Sequence, residues 1–262
     1  MNIKPRTLRA KLCERACVGT FVSIRDPFVV GLLAEAGFEF ILLDLEHFPM
    51  SPELIQAMVT TAQARGVGVV LRVADSRRAT ILHALETGAD GILVPMVSSV
   101  AEAERVVSYA RYAPFGERGF HPLTASAEYG AVPPNKLAEY SSRRCLVGVQ
   151  IETKAGLESC EDIASVSGVD LVFAGPGDLA QSLGVAPGST ELEEALERIY
   201  AAGNSARNFR GTFAATGEQL QRARRVGVRF LVHGSDSMIL AKGARDLVQA
   251  TRPSELRVAR AS

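Results

Sequence analysis

Three apolar stretches of the sequence end in ionisable side chains. Residues 40–47 begin as an apolar run and then place two acids and a histidine within four positions. Glu152 and Asp178 follow two later apolar runs in the same way. In a parallel sheet or barrel, the carboxyl ends of the strands are where chemistry is located. We therefore expect these three strand ends to meet, and the rest of the chain to position them.

Glu152 and Asp178 form the first candidate site. Adjacent strands lie ~4.8 Å apart, so carboxylates at neighbouring strand ends can share one divalent cation. Carboxylate oxygens and water suit Mg²⁺ or Mn²⁺, and such an ion can stabilise the enolate of a 2-oxo acid. The alternative is that each acid only caps the helix that follows it.

His47 is the candidate acid–base group, because imidazole titrates near neutral pH. Asp44 and Glu46 are close to it in sequence, and either could orient the ring. The alternative is a solvent-exposed histidine at a strand end with no chemical role.

Arg72 ends another apolar run, where a buried guanidinium needs an anionic partner. Its fork suits a substrate carboxylate or an enolate oxygen. It could equally form a salt bridge with Glu46 or another acid at the same end, and both roles can hold together. Gly175 and Gly177 would let the backbone approach a ligand, and their amides could bind a carboxylate.

The other histidines are weaker candidates. His83 lies in a helical pattern and is expected on the surface or in packing, and His233 lies within a strand and is expected to be buried. His121 falls in residues 112–134, where the helical periodicity is lost and three glycines occur. A stretch of this kind is typical of a functional loop or of disorder, so His121 could enter the site.

Strands and helices alternate eight times, with glycine after most helices. No G-x-G-x-x-G follows the first strand, and no phosphate-binding loop motif occurs. The pattern predicts an α/β fold, a (β/α)₈ TIM barrel formed as one domain by residues 1–262. The predicted strands lie at residues 18–24, 40–47, 67–73, 91–97, 145–151, 169–174, 211–215 and 230–236. The predicted helices lie at residues 8–15, 28–36, 52–65, 80–87, 100–111, 135–143, 155–166, 179–183, 191–206, 216–226 and 238–250, with a polar tail after residue 253.

The composition limits the function classes. The 262 residues carry 29 basic and 29 acidic side chains, and a net charge of zero argues against a nucleic-acid partner. Four cysteines without C-x-x-C spacing predict ordinary thiols: Cys13, Cys17, Cys145 and Cys160. Residues 1–6 lack the apolar region of a signal peptide, and no run approaches the ~20 apolar residues of a membrane span. We expect a soluble cytoplasmic protein with no membrane partner.

Six stretches in this order resemble the HpcH/HpaI aldolase family, the metal-dependent pyruvate aldolases: residues 43–47, 70–73, 93–97, 111–119, 149–153 and 175–179. Together they span nearly the whole chain. The resemblance implies a (β/α)₈ barrel of the phosphoenolpyruvate/pyruvate type in which Glu152 and Asp178 bind Mg²⁺ or Mn²⁺, with Co²⁺ as a further candidate.

The resemblance also implies roles in catalysis. His47 would be the base, acting through water with support from Asp44, and Arg72 would steady the pyruvate enolate. Gln150 would lie beside the metal, with Gly175 and Pro176 contacting substrate. The enolate would attack an aldehyde, and the reverse reaction would cleave a 4-hydroxy-2-oxo acid. Family members are commonly hexamers of dimers, which makes residues 238–250 a candidate helix for exchange between subunits of a homo-oligomer.

One departure from the family pattern leaves alternatives open. Pyruvate aldolases usually show small residues with an arginine after Arg118-Gly119, but residues 120–130 contain no arginine. This loop is expected to border the acceptor pocket. The alternative is an acetyl-CoA-dependent condensing enzyme, such as a siderophore-pathway citrate synthase acting on oxaloacetate. A third hypothesis is a non-catalytic barrel that binds small acids.

Overall fold

The computed structural model describes residues 7–203 and 207–251, in which eight parallel strands close into a barrel. Each strand pairs with the next along the chain, and the last pairs with the first. The predicted (β/α)₈ barrel is confirmed. The strands are β1 Cys17–Val22, β2 Phe40–Asp44, β3 Gly68–Arg72, β4 Gly91–Val94, β5 Leu146–Ile151, β6 Leu171–Ala174, β7 Phe209–Ala214 and β8 Phe230–Ser235.

Helices separate the strands at the predicted places, with bounds that differ by a few residues. The one difference in kind is at residues 155–166, where the predicted single helix is interrupted at Ser159. The helices are α1 Leu8–Glu14, α2 Pro27–Glu35, α3 Pro52–Ala64, α4 Arg78–Glu86, α5 Val100–Ala110, α6 Leu137–Arg144, α7 Lys154–Glu158, α8 Cys160–Ser165, α9 Pro176–Leu183, α10 Thr190–Ala202, α11 Gly217–Arg225 and α12 Asp236–Ala250.

Local sequence signals explain where several helices begin. Asp26 and Ser51 accept hydrogen bonds from the amides of Phe28 (2.8 Å) and Leu54 (3.3 Å), and each is followed by a proline at the first helical position. These are the expected N-caps, which satisfy amides that have no partner within the helix. Gly37 follows α2 with φ of 94°, as a C′ glycine requires.

The barrel interior is filled, and it is closed at its N-terminal end. Phe40 and Phe230 point inward with ring centroids 4.2 Å apart. Leu8 and Leu12 of α1 are buried in the same cluster, and a Cβ added at Gly68 would lie 3.0 Å from the Cβ of Leu8. Helix α1 therefore covers the end of the barrel where the strands begin.

The long connection at residues 112–134 lies near the same end, because it joins the end of α5 to the helix that precedes β5. Its Arg118 pairs with Glu86, the last residue of α4, at 2.7 Å, and Ala125 packs against Gly88. It contains a 3₁₀ segment at Ala125–Gly130, and Pro134–Lys136 forms a second one. On its own chain this connection lies away from the strand carboxyl ends, and the expectation that residues 120–130 border the acceptor pocket stays a prediction.

The remaining predictions have mixed outcomes. All four cysteines are free thiols, and only Cys13 is exposed. In the described ranges, no helix combines the length and apolar composition that a membrane crossing needs. Residues 1–6, considered above for a signal peptide, and the polar tail after residue 253 lie outside the described residues.

Candidate active site

Strand alternation carries four of the candidate side chains to the carboxyl end of the barrel. Asp44, Arg72 and Gln150 occupy the last inward-facing positions of β2, β3 and β5, and all three are buried. Asp44 and Arg72 are also register partners across β2 and β3, so their side chains lie next to each other. Glu152 comes directly after β5 and is only 2% exposed.

Arg72 is held in one orientation by acids. Its Nε and Nη2 donate to the two carboxylate oxygens of Asp44 at 3.0 and 2.7 Å, and Glu46 Oε2 lies 3.3 Å from Nε. The guanidinium also stacks over the ring of Phe21, 4.7 Å from its centroid. Within the described residues, Nη1 has no partner, so this group can still donate to a ligand. The salt bridge that the sequence left open is thus present.

His47 is near these acids but is not enclosed, since its side chain is 56% exposed. Its Nε2 lies 3.7 Å from Glu46 Oε2. Asp44 contacts the turn through the backbone instead, because its Oδ1 accepts from the amides of Glu46 (3.2 Å) and His47 (3.4 Å). Of the two acids that could orient the imidazole, Glu46 is the one that faces it.

Glu152 is a buried carboxyl group with few donors. Oε1 accepts from the Met96 amide at 2.8 Å, and Oε2 accepts from the side-chain amide of Gln150. The pKa of Glu152 is raised to about 7, mainly by burial. The nearby carboxylates of Asp178 and Glu46 contribute to the rise, and the Met96 hydrogen bond and Arg72 oppose it. Burial also raises the pKa of Glu46. The carboxylates at this end therefore converge and repel one another.

Neither candidate metal ligand caps a helix. The N-cap of α7 is Thr153, whose hydroxyl accepts from the Gly156 amide at 2.9 Å, so Glu152 is not needed there. The N-cap of α9 is Gly175, and Asp178 lies exposed in the first turn. The alternative interpretation is therefore wrong for Glu152, whereas Asp178 has a first-turn position in which a carboxylate also favours the helix dipole. The assignment of both acids as metal ligands stays a prediction.

Gly175 brings β6 against the candidate metal site. A Cβ at this position would lie 2.7 Å from Glu152 Oε2 and 2.8 Å from Gln150 Nε2, so only glycine lets these groups pack here. Its amide donates to the Ile151 carbonyl at 3.1 Å, so the expectation that this amide binds a carboxylate is wrong. Pro176, the first residue of α9, has no amide hydrogen to donate.

The donor set fits a divalent cation. Glu152 and Asp178 supply carboxylates of like charge, and Gln150 Oε1 is buried without a hydrogen-bond partner among the described residues. Mutual repulsion and an unmatched oxygen are both relieved by a hard cation. No group of three or more histidine, cysteine, aspartate or glutamate side chains forms a closed metal site in the described ranges. The arrangement suits an open site in which water or substrate completes the coordination.

Three further residues at this end were not identified from the sequence. Met96 has a left-handed backbone with φ of 59°, and this conformation accompanies the amide hydrogen bond to Glu152. Phe21 and Phe213 point inward from β1 and β7 with ring centroids 5.9 Å apart. Strand alternation could have identified the two aromatic residues, whereas nothing local in the sequence marks Met96.

The other three histidines lie elsewhere. His83 is exposed on α4, as expected. His233 is half-buried, and its Nδ1 lies 2.9 Å from the Ala214 carbonyl, which indicates a structural role. His121 is exposed on the connection at residues 112–134 and therefore does not reach the strand carboxyl ends of its own chain.

Comparisons with known proteins agree with this geometry. A model of the HpcH/HpaI aldolase/citrate lyase family matches residues 18–243. The chain is 33% identical over 244 residues to the hydroxypyruvate/pyruvate aldolase of Roseovarius nubinhibens, covering 91% of this chain and 93% of that protein.

Two solved structures are also similar. An HpcH/HpaI aldolase from Desulfitobacterium hafniense gives a TM-score of 0.89 at 27% identity, covering 95% of this chain and 98% of that one. The citrate synthase SbnG gives a TM-score of 0.85 at 25% identity, covering 94% of this chain and 97% of that one. Since the family model spans most of the sequence, this chain belongs to the HpcH/HpaI aldolase/citrate lyase family.

Proposed function

We propose that the chain is a divalent-metal-dependent aldolase that forms and cleaves 4-hydroxy-2-oxo acids through a pyruvate enolate. The observation that carries the proposal is the convergence of Glu152, Asp178 and Glu46 beside a buried, oriented Arg72. Membership of an aldolase family supports it. So does the similarity to a protein named hydroxypyruvate/pyruvate aldolase, which favours pyruvate as one substrate.

Glu152 and Asp178 would hold the ion, with Gln150 beside it. Oxygen donors favour Mg²⁺ or Mn²⁺, and Co²⁺ is a third candidate. A bound ion supplies a Lewis acid that stabilises negative charge on the keto oxygen of the 2-oxo acid. The raised pKa of Glu152 means that binding a cation at neutral pH must also displace a proton from this carboxyl group.

Arg72 would bind the 2-oxo acid through Nη1, the donor group that Asp44 leaves free. Because Asp44 and the ring of Phe21 fix the guanidinium, it needs little reorganisation when negative charge develops on the substrate. Gly175 and Pro176 would contact substrate through their backbone and ring atoms.

His47 would move the proton. In the synthetic direction it accepts, through a water molecule, a proton from the methyl carbon of pyruvate, and the C–H electron pair becomes the enolate. The enolate carbon then bonds to the carbonyl carbon of an aldehyde, whose oxygen takes up a proton to become the 4-hydroxy group. Cleavage is the reverse. Glu46, 3.7 Å from Nε2, would stabilise the protonated imidazole.

A second candidate is an acetyl-CoA-dependent condensation with oxaloacetate. The observation that favours it is the similarity to the citrate synthase SbnG over nearly the whole of both chains. In this reaction Arg72 and the metal would hold oxaloacetate, and the enolate of acetyl-CoA would attack its keto carbon. Release of free thiol distinguishes this reaction from the aldol reaction.

Proton–deuterium exchange at the methyl group of pyruvate, followed by NMR, tests the aldolase proposal without requiring the aldehyde. We expect exchange with Mg²⁺ or Mn²⁺ that is lost with EDTA, in His47→Ala and in Glu152→Gln. His83→Ala, a change at an exposed histidine on α4, is the matched control and should exchange normally. Exchange that survives both EDTA and Glu152→Gln would contradict the proposal. No exchange, with thiol release from acetyl-CoA and oxaloacetate, would support the second candidate.

We also propose a homo-oligomer of two to six subunits in which α12 contacts a neighbour. Four apolar side chains of this helix each expose about half or more of their surface area: Ile239, Leu240, Leu247 and Val248. Light scattering should give a multimeric mass, and Leu240→Arg combined with Leu247→Arg should lower it. A monomeric wild-type protein would contradict this proposal. The single-domain organisation over residues 1–262 and the cytoplasmic location stay predictions.

A further inference from the structure

A cavity lies at the opposite end of the barrel from Glu152. It encloses about 260 Å³. Among its lining residues, Gln63 lies at the end of α3, Gly88 just after α4 and Cys145 just after α6, and these helices end where β3, β4 and β5 begin. Its outer wall is formed by the connection at residues 112–134. The function proposed above uses none of these residues.

Arg118 is the most buried charged residue of this cavity, with a side chain that is 2% exposed. Its Nη2 donates to Glu86 at 2.7 Å and to Ser126 at 2.9 Å, and its Nη1 makes a long contact of 3.4 Å with Ser141. Its Nε has no hydrogen-bond partner in the part of the chain that the structure describes. Glu86 Oε2, on the carboxylate that Arg118 binds, is likewise buried without a partner among the described residues, and neither atom is exposed to the cavity.

Arg144 contributes a second guanidinium to the same cavity, and its side chain is 29% exposed. Its Nη1 donates to the hydroxyl of Tyr140 at 2.9 Å and lies 3.5 Å from Glu128. Within the described ranges, its Nε and Nη2 donate to no protein group. Arg144 thus leaves N–H groups available for an anion, and Arg118 adds a buried positive charge to the cavity wall.

The outer wall has an unusual backbone. Glu128 and Tyr129 are consecutive non-glycine residues in the left-handed region, with φ of 51° and 54°. This conformation carries strain in both residues, so the surrounding contacts must maintain it. The contacts include the Tyr140 hydroxyl, which donates to Glu128, and Arg144. These contacts hold the Glu128 carboxylate against the Arg144 guanidinium, and they place the exposed Tyr129 at the rim of the cavity.

We propose that this cavity is a second binding site, for a small anion that carries a carboxylate or a phosphate group. An oxygen anion would accept hydrogen bonds from the free N–H groups of Arg144. The hydroxyls of Ser126 and Ser141 could add to them, because Arg118 donates to both hydroxyl oxygens and leaves their hydrogens to the anion. The volume is below the usual range for drug-sized ligands, which restricts the site to a compact acid.

Isothermal titration of the metal-loaded protein with inorganic phosphate and, separately, with malonate tests the proposal and distinguishes the two ligand classes. We expect saturable binding of at least one probe, retained in Glu152→Gln, because the catalytic end is not involved. Arg144→Gln should weaken binding at least tenfold. Arg143→Gln is the matched control, since this neighbouring arginine pairs with Glu139 on the exposed side of α6 and does not line the cavity.

Pyruvate exchange should be unchanged in Arg144→Gln, which also reports that the variant is folded. Ser126→Ala provides a second, milder variant in which we expect a smaller loss of affinity. Equal affinity in Arg144→Gln and the wild type would overturn the proposal. So would loss of binding in Glu152→Gln, which would place the anion at the catalytic end, and so would the absence of saturable binding of both probes.

Discussion

Buried carboxylates occur at both ends of the barrel, but their surroundings differ. At the N-terminal end, Asp170 accepts from the Val147 amide at 2.8 Å and pairs with Arg9 at 2.7 Å and with Arg111. At the carboxyl end, Glu152 accepts one hydrogen bond from a backbone amide and one from the side-chain amide of Gln150, and it faces other acids. One carboxylate has its charge neutralised by the protein, and the other does not. The comparison indicates that the first stabilises the fold and the second is available to a ligand.

The largest expected effect is that of Glu152→Gln on activity. Removing a metal ligand should slow metal-dependent pyruvate exchange by about a thousandfold or more, which corresponds to ~4 kcal/mol in the barrier. The melting temperature of the metal-free protein should not fall, because the substitution removes a carboxyl group that burial disfavours in its charged form. A large drop in melting temperature would show that Glu152 has a structural role like that of Asp170.

The second prediction concerns the other end. Asp170→Asn leaves Arg9 and Arg111 without their shared counter-charge, so the free energy of unfolding should fall by about 3 kcal/mol. Chemical denaturation measures this change, and exchange per folded molecule should stay close to the wild-type rate. Glu161→Gln, which breaks an exposed pair with Arg198, is the control and should leave the melting temperature nearly unchanged. If Asp170→Asn and Glu161→Gln lowered stability equally, the proposed stabilising role of Asp170 would be contradicted.

The third prediction concerns Glu46. Because its carboxylate faces both the imidazole of His47 and the Nε of Arg72, Glu46→Gln should slow pyruvate exchange by about a hundredfold. A normal rate would leave His47 without an orienting acid. Glu53→Gln, at an exposed position in the first turn of α3, is the control.

The smallest expected effect is on the pH dependence of stability. The pKa of Glu152 is raised from 4.5 to about 7, so its favourable contribution is complete below pH 4.5 and is lost as the pH rises through about 7. In EDTA, the free energy of unfolding of the wild type should fall by about 2 kcal/mol more than that of Glu152→Gln between pH 5 and pH 8. Denaturation at several pH values measures the difference. If the free energies of unfolding of the two proteins changed equally with pH, the prediction would be wrong.

The sequence was informative where the signal is local. Apolar runs that end in acids located β2, β5 and β6, and Asp26-Pro27 and Ser51-Pro52 located helix starts, because caps and strand patterns depend on neighbouring residues. The position of the connection at residues 112–134 could also have been deduced. A segment between a helix and the next strand of a barrel must lie at the N-terminal end.

Other features depend on how strands align, which the sequence does not show. The pairing of Arg72 with Asp44 rather than with Glu46 alone follows from the register of β2 and β3. The packing of Glu152 against Gly175 follows from the approach of β5 and β6. The roles of substrate-contacting groups stay predictions, since they concern molecules that the sequence does not contain.

Helix α1 has a kinetic consequence. Because Leu8 and Leu12 close one end of the barrel and aromatic rings fill its interior, no channel runs through the barrel formed by residues 7–203 and 207–251. Substrates and products must therefore use the same opening, between the carboxyl ends of the strands. A molecule bound deep in that opening can leave only after the one bound above it. The shape alone therefore favours an ordered reaction, in which the first molecule to enter is the last to leave.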